Sequence, residues 1–544
     1  MKKLDIGVIV TTLIIVTISC SLAFFAARVV GEPKDINLVA KNVAITFNDT
    51  SIIANGVVSP GWNTTKTFTI TNNSKEEYKY NISIKDLINT FVTEGYLQYK
   101  ITSTNGYNMT EFKDIPKSSA PKDTILAYSV SISVGVTQSY TIEFKYANDE
   151  SVDQSEDMGK VLKGTLFITE GTEPTLLSQL LADKSTVLTR TDFSSVLTTN
   201  NTKTLYTSTE NGTTVYYFAG NATDNWVKFG SVSSDIVRGY GTSEFDGMYE
   251  DYNTMEECKS GTLMPQSRTY DLNQNCTYLQ HSGDSIYWRI IRTNSDGGVR
   301  LLYHGTSTTA ENAYIGTSAF NTTRDNPMYV GYMYGTSGSL VNNRTNTNNS
   351  TIKGVIDTWY KNNLNTNYGK YISTTAVYCN DRSNPASGYN TGSTAFYYGA
   401  YTRLYTNKAP TYDCTDTNDK FTVDTSTGNG KLKYPIALMT ADEVSFAGGL
   451  WATNASTWYY YNSAKGSSTG STYWWLLSPR LWFGSYAHVF LVIGSSGPGR
   501  LDNNGVNNTS GVRPAVSLKS CVKTSGGDGS ASAPYTIEES TSGC

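Results

Sequence analysis

The chain has 544 residues, 17% of them charged, and a formal net charge of −4 at pH 7. That length suits two or three hydrophobic cores and is too great for one ordinary domain. The slight acidity leaves no clustered Lys and Arg, so nucleic acid is excluded as a partner.

Lys2 and Lys3 precede an uncharged run, residues 6–27, that contains Ile9, Leu13, Ile14, Ile15, Val16, Phe24 and Phe25. As a helix it spans ~33 Å, which crosses a hydrocarbon core of about 30 Å, and the lysines hold its N-terminal end inside. Residues 1–34 are therefore expected to be a single-pass signal-anchor helix, with the bulk of the protein outside the cell membrane. A cleaved signal peptide ending at Ser21-Leu22-Ala23 is the alternative. With 39 Tyr, 9 Trp and 46 Gly, and loops filled by Asn, Thr and Ser, the remainder is expected to be a β-rich ectodomain with a polar surface.

Residues 35–170 read as one all-β domain. Tyr78, Tyr80, Ile82 and Ile84 alternate with Lys79, Asn81 and Ser83, and Tyr140, Ile142, Phe144 and Tyr146 repeat the pattern. Period two with polar partners predicts strands with one wet face. Ser59-Pro60-Gly61 and Asn72-Asn73-Ser74 are turn signals. The succession Val57-Val58-Ser59-Pro60-Gly61, Lys66-Thr67-Phe68-Thr69-Ile70 and Tyr80-Asn81-Ile82-Ser83-Ile84 resembles immunoglobulin-like sandwiches of bacterial surface and fibre proteins. That resemblance implies a stalk.

Glu170-Gly171-Thr172-Glu173-Pro174 is a linker. Over 171–250, Leu176, Leu177, Leu180 and Leu181 fall at helical spacing, and strands return near Val215 and Trp226. Residues 251–520 are expected to form a large α+β head with antiparallel sheets and long loops, and 521–544 a Ser/Gly-rich tail. The clearest hairpin is Ile286-Tyr287-Trp288-Arg289-Ile290-Ile291-Arg292, turning at Asn294-Ser295-Asp296-Gly297 and returning as Val299-Arg300-Leu301-Leu302-Tyr303. Ile352, Val355, Ile356, Trp359 and Tyr360 share a helical face capped by Ser350 or Thr351. Thr440-Ala441-Asp442-Glu443 is a capping box, and Gly448-Gly449 ends that helix.

Six cysteines lie beyond the membrane run: Cys258, Cys276, Cys379, Cys414, Cys521 and Cys544. An even number in a translocated chain predicts disulfides, although six allow fifteen pairings. Sequential pairing is expected, because each neighbour pair lies within one evident unit. Zinc is the weaker alternative, with no Cys-x-x-Cys and three His in the whole chain.

Near the end, Tyr473-Trp474-Trp475-Leu476-Leu477-Ser478-Pro479-Arg480 is followed by Gly511-Val512-Arg513-Pro514-Ala515-Val516-Ser517-Leu518. Adjacent tryptophans are costly to leave in water. One of them is expected to be buried against a closing strand at 512–518, with Arg480 and Trp482 nearer the rim. These patches, with the Trp-Arg-Ile-Ile-Arg hairpin, resemble a family of surface proteins from Gram-positive gut bacteria defined by a C-terminal domain of unknown function. The resemblance reaches from about Leu176 to Leu518. It implies a distant likeness to the C-type-lectin and formylglycine-generating-enzyme (sulfatase-modifying-factor) folds, and an extracellular module.

Arg480, Trp482, Tyr486, Arg500, Asp502 and Asn503 are the ligand-binding candidates, since aromatic planes edged by Arg, Asp and Asn suit sugar rings or peptide backbones. The alternative is that Trp474 and Trp475 are core while Arg480 or Arg513 satisfies buried carbonyls. No catalytic residue is assigned. Gly466-Ser467-Ser468-Thr469-Gly470 matches Gly-x-Ser-x-Gly but lies in a Ser/Thr/Gly run instead of between strand and helix, and His281, His304 and His488 are scattered. Asp413, Asp416, Asp419 and Asp424 around Cys414 form either a calcium loop or a solvated one; no other cofactor is expected. The function expected is a membrane-anchored adhesin or ligand-binding module for a glycan or a cell-surface protein. The alternatives are an extracellular enzyme on the formylglycine-generating-like fold and a structural envelope protein. For the enzyme, Cys521 lacks the neighbouring cysteine that copper-dependent oxidation in that family uses.

Overall fold

The computed structural model describes residues 36–40, 43–49, 58–93, 95–184, 186–199, 202–240, 249–260, 276–309, 313–384, 388–455, 458–459, 473–494, 497–540 and 544. The membrane run at 6–27 and the Gly466–Gly470 match lie outside the described residues. Among the described residues no helix is long and apolar enough to cross a membrane. Strands dominate, in mostly antiparallel sheets with no closed barrel. Two compact units divide the chain, residues 1–174 and 175–544.

The first unit is a β-sandwich. One sheet runs Ile36–Ala40, Val43–Asp49, Asn63–Asn72, Thr137–Tyr146, Leu97–Ser103, Lys113–Asp114; the other runs Ser118–Ile132, Tyr78–Asn89, Leu162–Glu170. Alternate residues of both sheets make the core, among them Phe68, Ile70, Ile82, Ile84, Ile142 and Phe144. Trp62 N–H donates to the Ser59 carbonyl across Pro60-Gly61, and Gly61 takes φ 85°, a conformation that suits glycine at the third position of a type II turn. The wet face expected of the 78–89 strand is corrected at Asn81 and Ser83, which are both 1% exposed. Asn81 is consumed by backbone: its Nδ2 donates to the Glu170 carbonyl at 3.0 Å, and its Oδ1 accepts from Ser129 N and Thr172 N. The chain leaving the 162–170 strand thus covers what the alternation alone leaves open.

In the second unit, the Leu176–Asp183 helix is capped by Thr175, and Leu176 and Leu180 are buried. The Ser285–Thr293 and Val299–Gly305 strands pair antiparallel as the expected hairpin, and Pro514–Leu518 pairs with the latter. The last strands join the same sheet: Tyr535–Ile537 pairs with Trp226–Ser231, and Tyr535 is fully buried. A second sheet is ordered Thr317–Ala319, Thr509–Gly511, Trp474–Phe483, Tyr486–Val492, Leu501–Gly505, with Phe396–Tyr397 added to the 474–483 strand. Disulfides join Cys258 to Cys276, Cys379 to Cys414 and Cys521 to Cys544, the sequential pairing. Such bonds belong to an oxidising compartment.

Arginines penetrate the core and are matched there. Arg292 and Arg300, each 2% exposed, both donate to Glu443 Oε1, at 3.0 and 2.8 Å, and Arg292 also reaches Glu210 at 2.9 Å. Glu443 Oε2 accepts from Thr440 N at 2.9 Å, so the capping box of the Ala441–Phe446 helix is formed and its carboxylate doubles as counter-ion to two buried guanidinium groups.

Candidate functional site

Adjacent residues of a strand point to opposite faces, and both faces of the Trp474–Phe483 strand are covered from Trp474 to Pro479. Trp474 and Trp475 are both fully buried. Trp475 Nε1 donates to the Ser318 carbonyl at 2.9 Å, and the Arg513 guanidinium lies 4.9 Å from the Trp474 ring while donating to the Tyr303 carbonyl at 3.1 Å. Trp482, expected nearer the rim, is instead 1% exposed. The Phe396–Tyr397 strand pairs beside it in the sheet, and the Trp482 Nε1 donates to the Gly392 carbonyl, in the segment leading into that strand, at 2.6 Å.

Arg480 sits at the edge of this core, and an exposed aromatic platform is built around it. Its guanidinium lies 4.4 Å from the Trp451 ring centroid, 4.9 Å from Tyr401 and 5.8 Å from Tyr397. Tyr397, Tyr401 and Tyr405 stack in succession, with centroids 4.1 and 5.0 Å apart and planes tilted by 16° and 18°. Trp451 stands edge-on to Tyr401 and Tyr405 at 6.3 Å. Tyr397 and Tyr405 are 44% and 46% exposed, so the stack faces solvent. Partial burial lowers the Arg480 pKa, and the neighbouring phenols of Tyr401 and Tyr397 oppose that shift.

Local structure explains the stack. The tyrosines recur every four residues, and the segment passes from a helical turn at Gly399–Tyr401 into a π-helical turn at Thr402–Thr406, a rare form that is frequent at functional sites. Arg403, on the same turn, is the pin. It grips Asp442 with two bonds of 2.7 and 2.8 Å and Asp381 with one of 2.8 Å, tying the platform to the capped helix at Ala441–Phe446. Although burial desolvates Asp381, the Arg403 charge holds its carboxyl below the ordinary value.

The other expected residues split into two groups. Asn503 joins the platform, its Oδ1 accepting from Arg480 Nη1 at 3.4 Å; Asp502 braces Asn503 and pairs with Arg500 at 2.8 Å. His488 hydrogen-bonds Asn503, and burial lowers its pKa. Tyr486 belongs elsewhere, 38% exposed beside Phe483 at the tip of the hairpin, with Arg324 stacked on its ring at 3.9 Å. Sequence reasoning missed Tyr397, Tyr401, Tyr405 and Trp451; the four-residue tyrosine spacing was the available signal.

The acidic cluster is occupied by protein groups. Asp419 is clasped by Arg382, Asp416 by Arg344, Asp413 accepts from Asn211 N, and Asp424 from Ser426 N. Among the described residues no three His, Cys, Asp or Glu side chains are grouped to hold a metal. His304 is enclosed between Trp226, Arg289 and Arg513, where burial and those two charges push its pKa well below the ordinary value.

No family model matches the chain, and no curated protein matches it. One solved structure, described as "AvmM Catalyzes Macrocyclization in Alchivemycin A Biosynthesis", aligns with 26% of this chain and 100% of its own at 9% identity and a TM-score of 0.15. A likeness that weak carries no argument about this protein.

Proposed function

We propose that the chain is a membrane-anchored extracellular surface protein whose 175–544 unit binds glycans on the Tyr397–Tyr401–Tyr405–Trp451–Arg480 platform. In this reading the 1–174 unit is an immunoglobulin-like stalk, and the 175–544 unit belongs with the C-type-lectin-like heads of the gut-bacterial family that its motifs resemble. The observation that carries it is the exposed, pinned stack of tyrosines edged by Arg480 and Asn503. An end ring of the stack, Tyr397 or Tyr405, offers its outer face to the apolar face of a sugar ring, while a rigid guanidinium and an amide at the margin take its hydroxyls. Rigidity matters because Arg403 and its two aspartates hold the stack before any ligand arrives, which lowers the ordering cost of binding.

A glycan and host-protein array probed with the full chain tests the reading. Saturable binding confined to glycans is expected. Binding confined to proteins would replace the glycan by a protein partner, and no binding on either array would overturn the proposal.

A further inference from the structure

Among the described arginines of the 175–544 unit, all but Arg324 and Arg480 hydrogen-bond a carboxylate or a main-chain carbonyl. Each of those two makes a single long hydrogen bond to a side-chain amide, Arg324 Nη1 to Asn507 Oδ1 at 3.5 Å and Arg480 Nη1 to Asn503 Oδ1 at 3.4 Å. Arg480 Nε is sealed from solvent, but the Arg480 Nη2 and the Arg324 Nε and Nη2 are not. Nε and Nη2 are the parallel donors of the guanidinium fork. With them Arg238 clasps Asp251 and Arg403 clasps Asp442, at 2.7 and 2.8 Å in both pairs. Arg324 holds the same fork open, while stacking on the Tyr486 ring at 3.9 Å fixes its plane. Asp325, next to it in the chain, is exposed and forms no ion pair with it.

The fork is joined to the platform across one face of the sheet. Tyr486 and His488 stand two residues apart on their strand and so share a face, with ring centroids 6.5 Å apart. His488 hydrogen-bonds Asn503, which in turn accepts from Arg480. Beyond Arg480 lie Trp451 and the tyrosine stack, at whose far end Lys408 Nζ is 5.3 Å from the Tyr405 ring. Positive groups thus alternate with aromatic rings from Tyr405 to Tyr486. The carboxylate that acts on Arg480, Asp502, is already bonded by Arg500 at 2.8 Å. A sugar that carries a carboxylate answers both features of this row, with its ring for an aromatic face and a planar, two-oxygen anion for the open fork. Such a charge-assisted pair is about twice as strong as a neutral hydrogen bond.

We infer that the chain selects acidic glycans, the Arg324 fork gripping a uronate carboxylate through two hydrogen bonds while a neighbouring ring of the same glycan lies on the platform. The inference rests on the reading of the platform as the glycan site. Isothermal titration of the full chain with a galacturonic acid trimer, and with its methyl ester as the same sugar without charge, tests it. The acid is expected to bind at least tenfold tighter than the ester. Arg324→Gln should bring the acid down to the level of the ester and leave the ester unchanged, whereas Trp451→Ala should weaken both. Arg324→Lys, which keeps the charge without the fork, should recover only part of the preference. Equal affinity for acid and ester, or a preference that survives Arg324→Gln, would overturn the inference and leave the platform standing. Full recovery in Arg324→Lys, or tighter binding of a sulfated galactose trimer than of the uronate, would overturn the carboxylate fork. Absence of binding by the acid would overturn the inference too, and the platform is then judged by the array alone. Binding of both probes indifferent to Trp451→Ala would contradict the platform on which the inference rests.

Discussion

Arg480 differs from an ordinary surface arginine because three aromatic rings and Asn503 fix its plane. A lysine keeps the charge but neither the plane nor the fork of donors. Arg480→Lys should therefore weaken glycan binding about tenfold, while a thermal melt shows little change, since such stacking contributes about 0.5–2 kcal/mol. Trp474 and Trp475 act on stability instead: each is fully buried, and replacing either by Ala should cost ~3–5 kcal/mol in denaturant unfolding. Negligible loss in both would contradict their place in the core. His304 sets a pH limb. Its folded pKa lies well below 6.5, so the unfolded chain takes up a proton that the folded chain refuses, and stability present above about pH 6.5 is lost as pH falls below it. His488, also lowered, adds in the same direction. The melting temperature should drop from pH 7 to pH 5, and His304→Gln should flatten that slope.

At the scale of elements, the helix at Ala441–Phe446 joins the core to the platform. Glu443 faces Arg292 and Arg300, and Asp442 holds Arg403. Removing one partner of a buried ionic network leaves uncompensated charge, so Glu443→Gln should destabilise the unit by about 3–5 kcal/mol. Thr440→Ala, which removes only the cap, should cost about 1 kcal/mol. Glu210 adds an acid limb: Arg292 holds its carboxyl down to about 2 despite the desolvation that burial imposes. Its contribution is complete above about pH 4.5 and lost as pH falls toward 2. Much of this helix was legible in sequence, because a capping box is a local pattern. The second use of Glu443 was not, since Arg292 and Arg300 lie more than 140 residues away in the chain. The same limit explains the platform. The 285–305 hairpin announced itself through Asp-Gly, whereas Trp451 meets Tyr401, Tyr405 and Arg480 only through tertiary structure, from positions far apart in the chain. Trp482 was misplaced because the two-residue Phe396–Tyr397 strand that pairs beside it, and the Gly392 carbonyl that takes its indole N–H, have no periodicity long enough to read.

For the whole molecule, three disulfides close loops within the 175–544 unit. Each bond is expected to contribute about 2–4 kcal/mol, so reduction should lower the melting transition of that unit and leave the 1–174 unit, which has no described disulfide, unchanged. Differential scanning calorimetry with and without reductant reads both. Attachment at the N-terminus is checked by mass spectrometry of the native chain. An intact N-terminus accords with an anchor, whereas a mature chain starting near Phe24 would make the protein secreted. Both results bear on where the head is displayed, and neither bears on what it holds. That rests on the platform. The most direct measurement is the dissociation constant of the strongest array glycan for the full chain, for Trp451→Ala and for Arg480→Lys. A loss of at least tenfold in each variant, with melting within a few degrees of the parent, is the outcome expected. Unchanged affinity in both folded variants would contradict the platform as the binding site.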